Sequence, residues 1–214
     1  MIAEKMTNSK GRRRFNFDLS GGALCLDFAN TVSKRKIPAE ICDHLAEYGD
    51  LLAFAAQSRY FPPKFAGKMT TASHADPEAA ARALENAHRL REAVYRTFMS
   101  CAEGRSVNAD DLRLIQNMTI EGWKHSGLTK VGQTYRWLLK RDETTQFDGV
   151  LWPIAHSATD LLTSDRLKKV RMCDAETCAW LFLDESRNHS RRWCDMKVCG
   201  NREKARRHYQ REHV

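Results

Sequence analysis

CDAETCAWLFLDESRNHSRRWCDMKVCGNREKARRHYQREHV, residues 173–214, carries the pattern that sets the fold of this segment. Cys173, Cys178, Cys194 and Cys199 follow the spacing C-x4-C, x15, C-x4-C. Four thiolates close a tetrahedral site around one Zn²⁺ and leave no position for water, so such a site is structural. A reducing compartment keeps the sulfurs as ligands rather than disulfides. Ligand type alone also fits an iron–sulfur cluster, and paired disulfides would make a redox switch; the surrounding pattern favours zinc. Trp180-Leu-Phe-Leu183 reads as a strand, with Arg191-Arg-Trp193 as its returning partner. After Gly200-Asn201, the run REKARRHYQREH holds strong helix formers and no breaker. Knuckle, hairpin and helix together predict a treble-clef-like finger. Its small size makes metal binding a main source of its folding free energy. His189 and His208 are read as spectators, and Asp184 and Asp195 as turn residues.

Working outward, the charge is uneven along the 214 residues, whose net charge is +8. Residues 166–214 carry 13 Lys/Arg against 7 Asp/Glu, residues 1–15 carry 5 against 1, and residues 16–165 carry 17 against 19. A mildly acidic body flanked by basic ends points to a polyanionic partner. Residues 1–15, with Lys10 and Arg12-Arg-Arg14, read as a basic flexible arm. No run approaches the ~20 apolar residues that span a bilayer, and no apolar segment follows the N-terminal charges as in a secretory signal. The expectation is a cytoplasmic protein without a membrane partner.

Residues 16–165 read as one mostly helical α+β domain with a small β-hairpin, ahead of a finger at 166–214. Leu24, Leu26, Phe28 and Val32 are candidate core residues, and 39–57 has helical spacing. Tyr60 to Gly67, with Pro62-Pro63, is a break. Asp76-Pro77 is an N-cap followed by proline at the first helical position. That helix runs to about Cys101, with Leu84, Ala87, Leu90, Val94 and Phe98 inward. Asn108 starts another, with Leu112, Ile115 and Met118 inward. Glycines and strand formers over 121–148 predict a hairpin, and Pro153 opens a short helix. Cys25, Cys42 and Cys101 read as buried inert thiols.

Trp193-Cys-Asp-Met-Lys-Val-Cys-Gly-Asn-Arg202, with its Cys199-Gly200-Asn201-Arg202, resembles the CGNR zinc finger. LCLDFANTV, residues 24–32, resembles the ABATE domain that precedes that finger in bacterial stress-induced transcription regulators. The resemblance implies one structural zinc on the four cysteines and a role in transcription regulation.

Candidate nucleic-acid contacts are Arg187, Arg191, Arg192, Lys197, Asn201, Arg202, Lys204, Arg206, Arg207 and Arg211, which would neutralise phosphates and release counterions. Asn201 and Arg202 are also candidates for base reading, or for a helix cap and a brace of the site. Ala205 and Tyr209 could pack towards the hairpin. Trp180, Phe182 and Trp193 are read as finger core, with stacking on unpaired bases as the alternative. DNA is favoured over RNA, and a homodimer on two half-sites is attractive because one finger reads few bases. Asp27 and Asn30, polar among apolar neighbours, are candidates for a small-molecule effector pocket or for buried hydrogen bonding. Motifs for a nucleophile elbow, a metalloprotease or a phosphate loop are missing, and His44, His88, His125 and His156 are isolated, so no enzyme is expected. The alternatives are an RNA-binding protein and a protein-interaction or redox-responsive zinc module.

Overall fold

The computed structural model describes residues 15–61, 64–140 and 146–212; the arm expected over 1–15 lies outside them but for Phe15. The first helix, α1 (Leu24–Ala29), is buried on every side. It is apolar all round except Asp27, as a helix at the centre of a core must be. A two-stranded ribbon, β1 (Val32–Ser33) with β2 (Cys42–Asp43), follows. Then come α2 (Tyr48–Ser58), α3 (Phe65–Ala75), α4 (Pro77–Ala102) and α5 (Ala109–Lys124). The hairpin β3 (Ser126–Val131) and β4 (Thr134–Leu139) turns through Gly132, whose φ of +62° suits glycine. Helix α6 (Trp152–Leu162) completes the helical part.

The long helix α4 begins as the sequence dictates, with the Asp76 carboxylate accepting from the Ala79 N–H at 2.9 Å and Pro77 in the first turn. Ala80, Ala83 and Ala87, followed by Leu90, Val94 and Phe98, form its buried face. Asn108 caps α5 by accepting from the Asp110 and Asp111 N–H groups. Ile115 is buried there, but Leu112 is exposed. Asp111 turns inward instead, held by Arg96 of α4 at 2.8 Å. Where α5 crosses α6, a Cβ on Gly122 would lie 2.6 Å from Trp152 Cβ, so only glycine permits this approach.

Other expectations differ from the fold. Within 39–57, helix starts only at Tyr48, because Pro38–Glu40 forms a 3₁₀ turn and β2 pairs with β1. Ile41 is exposed as a result. Helix α3 begins inside the break and continues to Ala75. Gly67, Thr70, Thr71 and Ser73 mask it in the sequence, and burial of Phe65 and Met69 holds it in place. Cys25 is buried, Cys101 is half-buried, and Cys42 is exposed on the ribbon.

The finger opens with β5 (Val170–Met172), antiparallel to β6 (Leu181–Leu183). The partner of the Trp180–Leu183 segment is therefore the strand before it, not Arg191–Trp193. Val170, Leu181 and Leu183 send their side chains into the same core as the helices, and that burial selects β5. Arg191–Trp193 instead approaches the first knuckle, where the Asp174 N–H donates to the Arg192 carbonyl at 2.9 Å. Helix α7 (Asn201–Glu212) ends the described chain.

The outer edge of β6 is closed by the helical part. The Asn30 amide donates to the Leu181 carbonyl at 2.8 Å and accepts from its N–H at 2.9 Å. Two residues on, the Leu183 N–H donates to the Gly21 carbonyl at 2.9 Å. Asn30 and Gly21 thus stand in for a third strand and satisfy an edge that would otherwise be open.

Candidate metal centre and basic face

Four sulfurs converge. Cys173 and Cys178 lie in the turn between β5 and β6, and Cys194 and Cys199 flank the tight turn that leads into α7. All four Sγ atoms lie within 4.8 Å of one another, and all four residues are buried. Cys178 Sγ to Cys194 Sγ is 3.7 Å and Cys194 Sγ to Cys199 Sγ is 3.6 Å. A tetrahedron with Zn–S bonds of about 2.3 Å has edges of roughly 3.8 Å, whereas a disulfide needs about 2.05 Å. The set fits zinc.

The surroundings are arranged for negative charge. The Trp180 N–H points at Cys178 Sγ at 3.5 Å, and the Cys194 N–H at Cys173 Sγ at 3.4 Å. Thiol donors from Cys178, Cys194 and Cys199 hold the Cys173 sulfur well below the ordinary thiol range. The same crowding, from Cys173 first, pushes Cys194 far above it. Four sulfurs this close can all ionise only around a cation. Phe182 is buried among them, with Trp180 and Trp193 packed alongside, so the aromatics serve as finger core.

Residues far away in sequence brace the first knuckle. Lys36 Nζ donates to the Cys173 and Ala175 carbonyls, each at 3.0 Å. The Trp180 indole N–H donates to the Val32 carbonyl at 2.8 Å, and the Tyr95 hydroxyl to the Ala179 carbonyl at 3.2 Å. Lys36 reaches the knuckle because its loop is tied down: Arg35 pairs with Glu92 at 2.8 Å and lies over the Tyr95 ring. Arg91 grips Asp43 of the ribbon at 2.7 Å. Burial alone would raise the Asp43 carboxyl, but Arg91 holds it below its ordinary value. Sequence reasoning missed Lys36 and Tyr95, since neither sits in a local pattern that marks it.

The basic residues divide by what their side chains already do. Arg191 is turned inward. Its guanidinium donates to the Trp193 carbonyl at 3.0 Å and to the Cys194 carbonyl, and lies over the Phe182 ring. Its backbone N–H meets the buried Asp184 carboxylate, which also accepts from the Ser186 N–H and hydroxyl. Arg192 pairs with Asp174 at 2.8 Å. Arg202 donates to the Thr177 hydroxyl at 2.9 Å, bracing the first knuckle from α7. Arg206 is shared between Glu176 at 3.0 Å and Glu203 at 2.9 Å, and Glu203 accepts the Glu176 N–H. Arg207 Nε donates to the Glu203 carbonyl at 3.3 Å. Arg187, Lys197, Asn201, Lys204 and Arg211 are exposed. Ala205 and Tyr209 are exposed too, contrary to the expected packing. Asp195, not Asn201, supplies the cap by accepting from the Val198 N–H at 2.8 Å, because the turn over Met196–Gly200 runs straight into α7.

Asp27 and Asn30 are both occupied within the fold. Asp27 accepts from the Gly21 N–H at 2.7 Å. Burial pushes its carboxyl up to about 7, with Asp18 adding to the rise and the Gly21 hydrogen bond opposing it. Asn30 closes the β6 edge. A cavity of about 1080 Å³ lies between α3, α5, the hairpin and α6, and neither residue lines it.

Among the described residues no helix is long and apolar enough to cross a membrane. A search of curated proteins returned no match. Residues 169–212 match the CGNR zinc finger, which places one structural zinc on the four cysteines. Residues 22–165 match ABATE, described as "Putative stress-induced transcription regulator". With two thirds of its length under that model and the finger under the other, the chain belongs to the ABATE family and carries a C-terminal CGNR zinc finger.

Proposed function

We propose that this protein is a DNA-binding transcription regulator in which the finger contacts the duplex and the helical domain senses a ligand. The observation that carries the reading is α7. It leaves the zinc site directly, all but Glu203 of its residues is exposed, and Lys204, Arg207 and Arg211 fall on one stripe at spacings of three and four. An α-helix about 10–12 Å across fits the major groove of B-DNA, about 12 Å wide, whereas the deep, narrow groove of A-form RNA excludes it. Lys197, in the turn that leads into α7, and Arg187, in the loop after β6, are further exposed cations for phosphate contact. Arg202 and Arg206 brace the knuckle, so they set the helix's angle more than its affinity. Support for sensing comes from α1: Gly22 and Ala23, which lead into it, line a cavity of about 1080 Å³, and Asn30 at its end grips the finger strand.

The test is an anisotropy titration against duplex DNA and hairpin RNA at several salt concentrations. Changing Lys204, Arg207 and Arg211 together to Gln should weaken duplex binding and flatten the log K against log salt slope by about 2–3 units. Zinc content should stay at one per chain, since none of the three is a ligand. A wild-type protein that binds neither nucleic acid at low salt overturns this reading and leaves α7 as a protein-docking helix. Stronger binding to RNA than to duplex DNA overturns the choice of DNA.

A further inference from the structure

We propose that the cavity between α3, α5, the β3–β4 hairpin and α6 is a binding site for an aromatic organic anion. The proposal rests on the reading that the helical domain senses a ligand, and gives that ligand a place and a chemistry. The cavity measures about 1080 Å³, at the upper end of small-molecule sites.

Its walls are aromatic. Phe61 comes from the segment after α2, Phe65 from the start of α3, Trp123 from the end of α5, Trp137 from β4 and Trp152 from α6. Trp123 and Trp137 are each about half exposed, and Trp123 meets the His156 ring edge-on at 5.9 Å. Trp152 is buried, its ring stacked at 4.5 Å on His125, and its indole N–H has no acceptor among the described residues. Ring faces and edges presented from four elements suit a flat ring, which pairs with them by stacking and edge contacts. An aliphatic chain would gain burial without that geometry.

Its charge is positive. Lys64, the residue before α3, and Lys68, one helical turn on, line the cavity with Arg166; among the described lining residues the one carboxylate is Asp160, which lies 3.3 Å from His156. Arg166 is already bonded to the Gly22 carbonyl and Glu185, each at 3.1 Å. The Lys64 and Lys68 side chains make no ion pair among the described residues, so they are the pair that takes a carboxylate or sulfonate. Occupancy has a route outward: Gly22 and Ala23 line the cavity and lead into α1, and Arg166 ties the same wall to Glu185 beyond β6.

The experiment uses the full zinc-loaded chain and two probes of one shape, 2-naphthoate and the uncharged 2-naphthamide, titrated calorimetrically. Wild type should bind one naphthoate per chain, several-fold more tightly than naphthamide. The double variant Lys64→Gln/Lys68→Gln should weaken naphthoate roughly tenfold, with naphthamide unchanged. Trp137→Ala should weaken both probes alike. Unaltered zinc content and melting temperature show that these exposed substitutions leave the fold intact. No saturable binding of naphthoate, equal affinity for the two probes, or a double variant that binds naphthoate as wild type does overturns the proposal. Repeating the DNA titration with naphthoate present separates the two readings: a bound probe that leaves DNA affinity unchanged supports the site and refutes its role in sensing.

Discussion

Replacing Asn30 by Ala tests whether one amide holds the finger to the helical domain. The Asn30 side chain spans to Leu181 with two hydrogen bonds, at 2.8 and 2.9 Å, and is 3% exposed. Leu181 itself is fully buried. Truncation therefore leaves one backbone donor and one acceptor unpaired in the interior, each at a cost of about 1–3 kcal/mol. The variant should lose roughly 3 kcal/mol, a large part of the ~5–15 kcal/mol that holds a domain together. Asn30→Asp keeps the acceptor for the Leu181 N–H but sets a carboxylate oxygen against the Leu181 carbonyl, so it should be no better. Urea titration with zinc present measures the loss, and hydrogen exchange locates it at the Leu181 and Leu183 amides. A loss below about 1 kcal/mol, with exchange at those amides unchanged, would refute the idea that Asn30 substitutes for a strand.

Zinc and tertiary docking should protect different parts of the finger. Cys194→Ser should abolish bound zinc by elemental analysis and expose the amides of 173–180 and 192–212, while Leu181–Leu183 stay protected by the helical core; exchange of all these amides together would show that the metal alone holds the finger. Asp27 gives a pH signature. Its folded-state value of about 7, against an ordinary 3.8, means that the folded state keeps a proton the unfolded chain releases. Stability from this group is full at low pH and falls as pH rises from about 4 to 7, by on the order of 4 kcal/mol at most. Asp27→Asn, which retains an acceptor for Gly21, should be more stable above pH 7 and show a flatter profile. Parallel profiles for the two proteins would contradict the assignment.

The metal ligands were legible because C-x4-C pairs carry their chemistry locally: four soft donors at turn spacing leave few alternatives to a closed metal site. Helices α4 and α5 were legible for the same reason, since Asp76-Pro77 and Asn108 satisfy orphan N–H groups within one turn. The helix after Gly200 followed from propensity alone. What the sequence could not decide was pairing at a distance. Leu181–Leu183 has strand character whichever neighbour it takes, and only burial of Val170 in the helical core chose β5 over Arg191–Trp193. Arg191 and Arg187 look alike in a list of cations, yet one is spent on carbonyls and the Phe182 ring. Asn30 stood out as polar among apolar residues, but its partner lies 151 positions away. Local spacing determined the zinc site and the caps because their energies arise within a turn. The docking of finger on helices, the burial of charge and the aromatic cavity arise between segments, so the folded chain alone decided them.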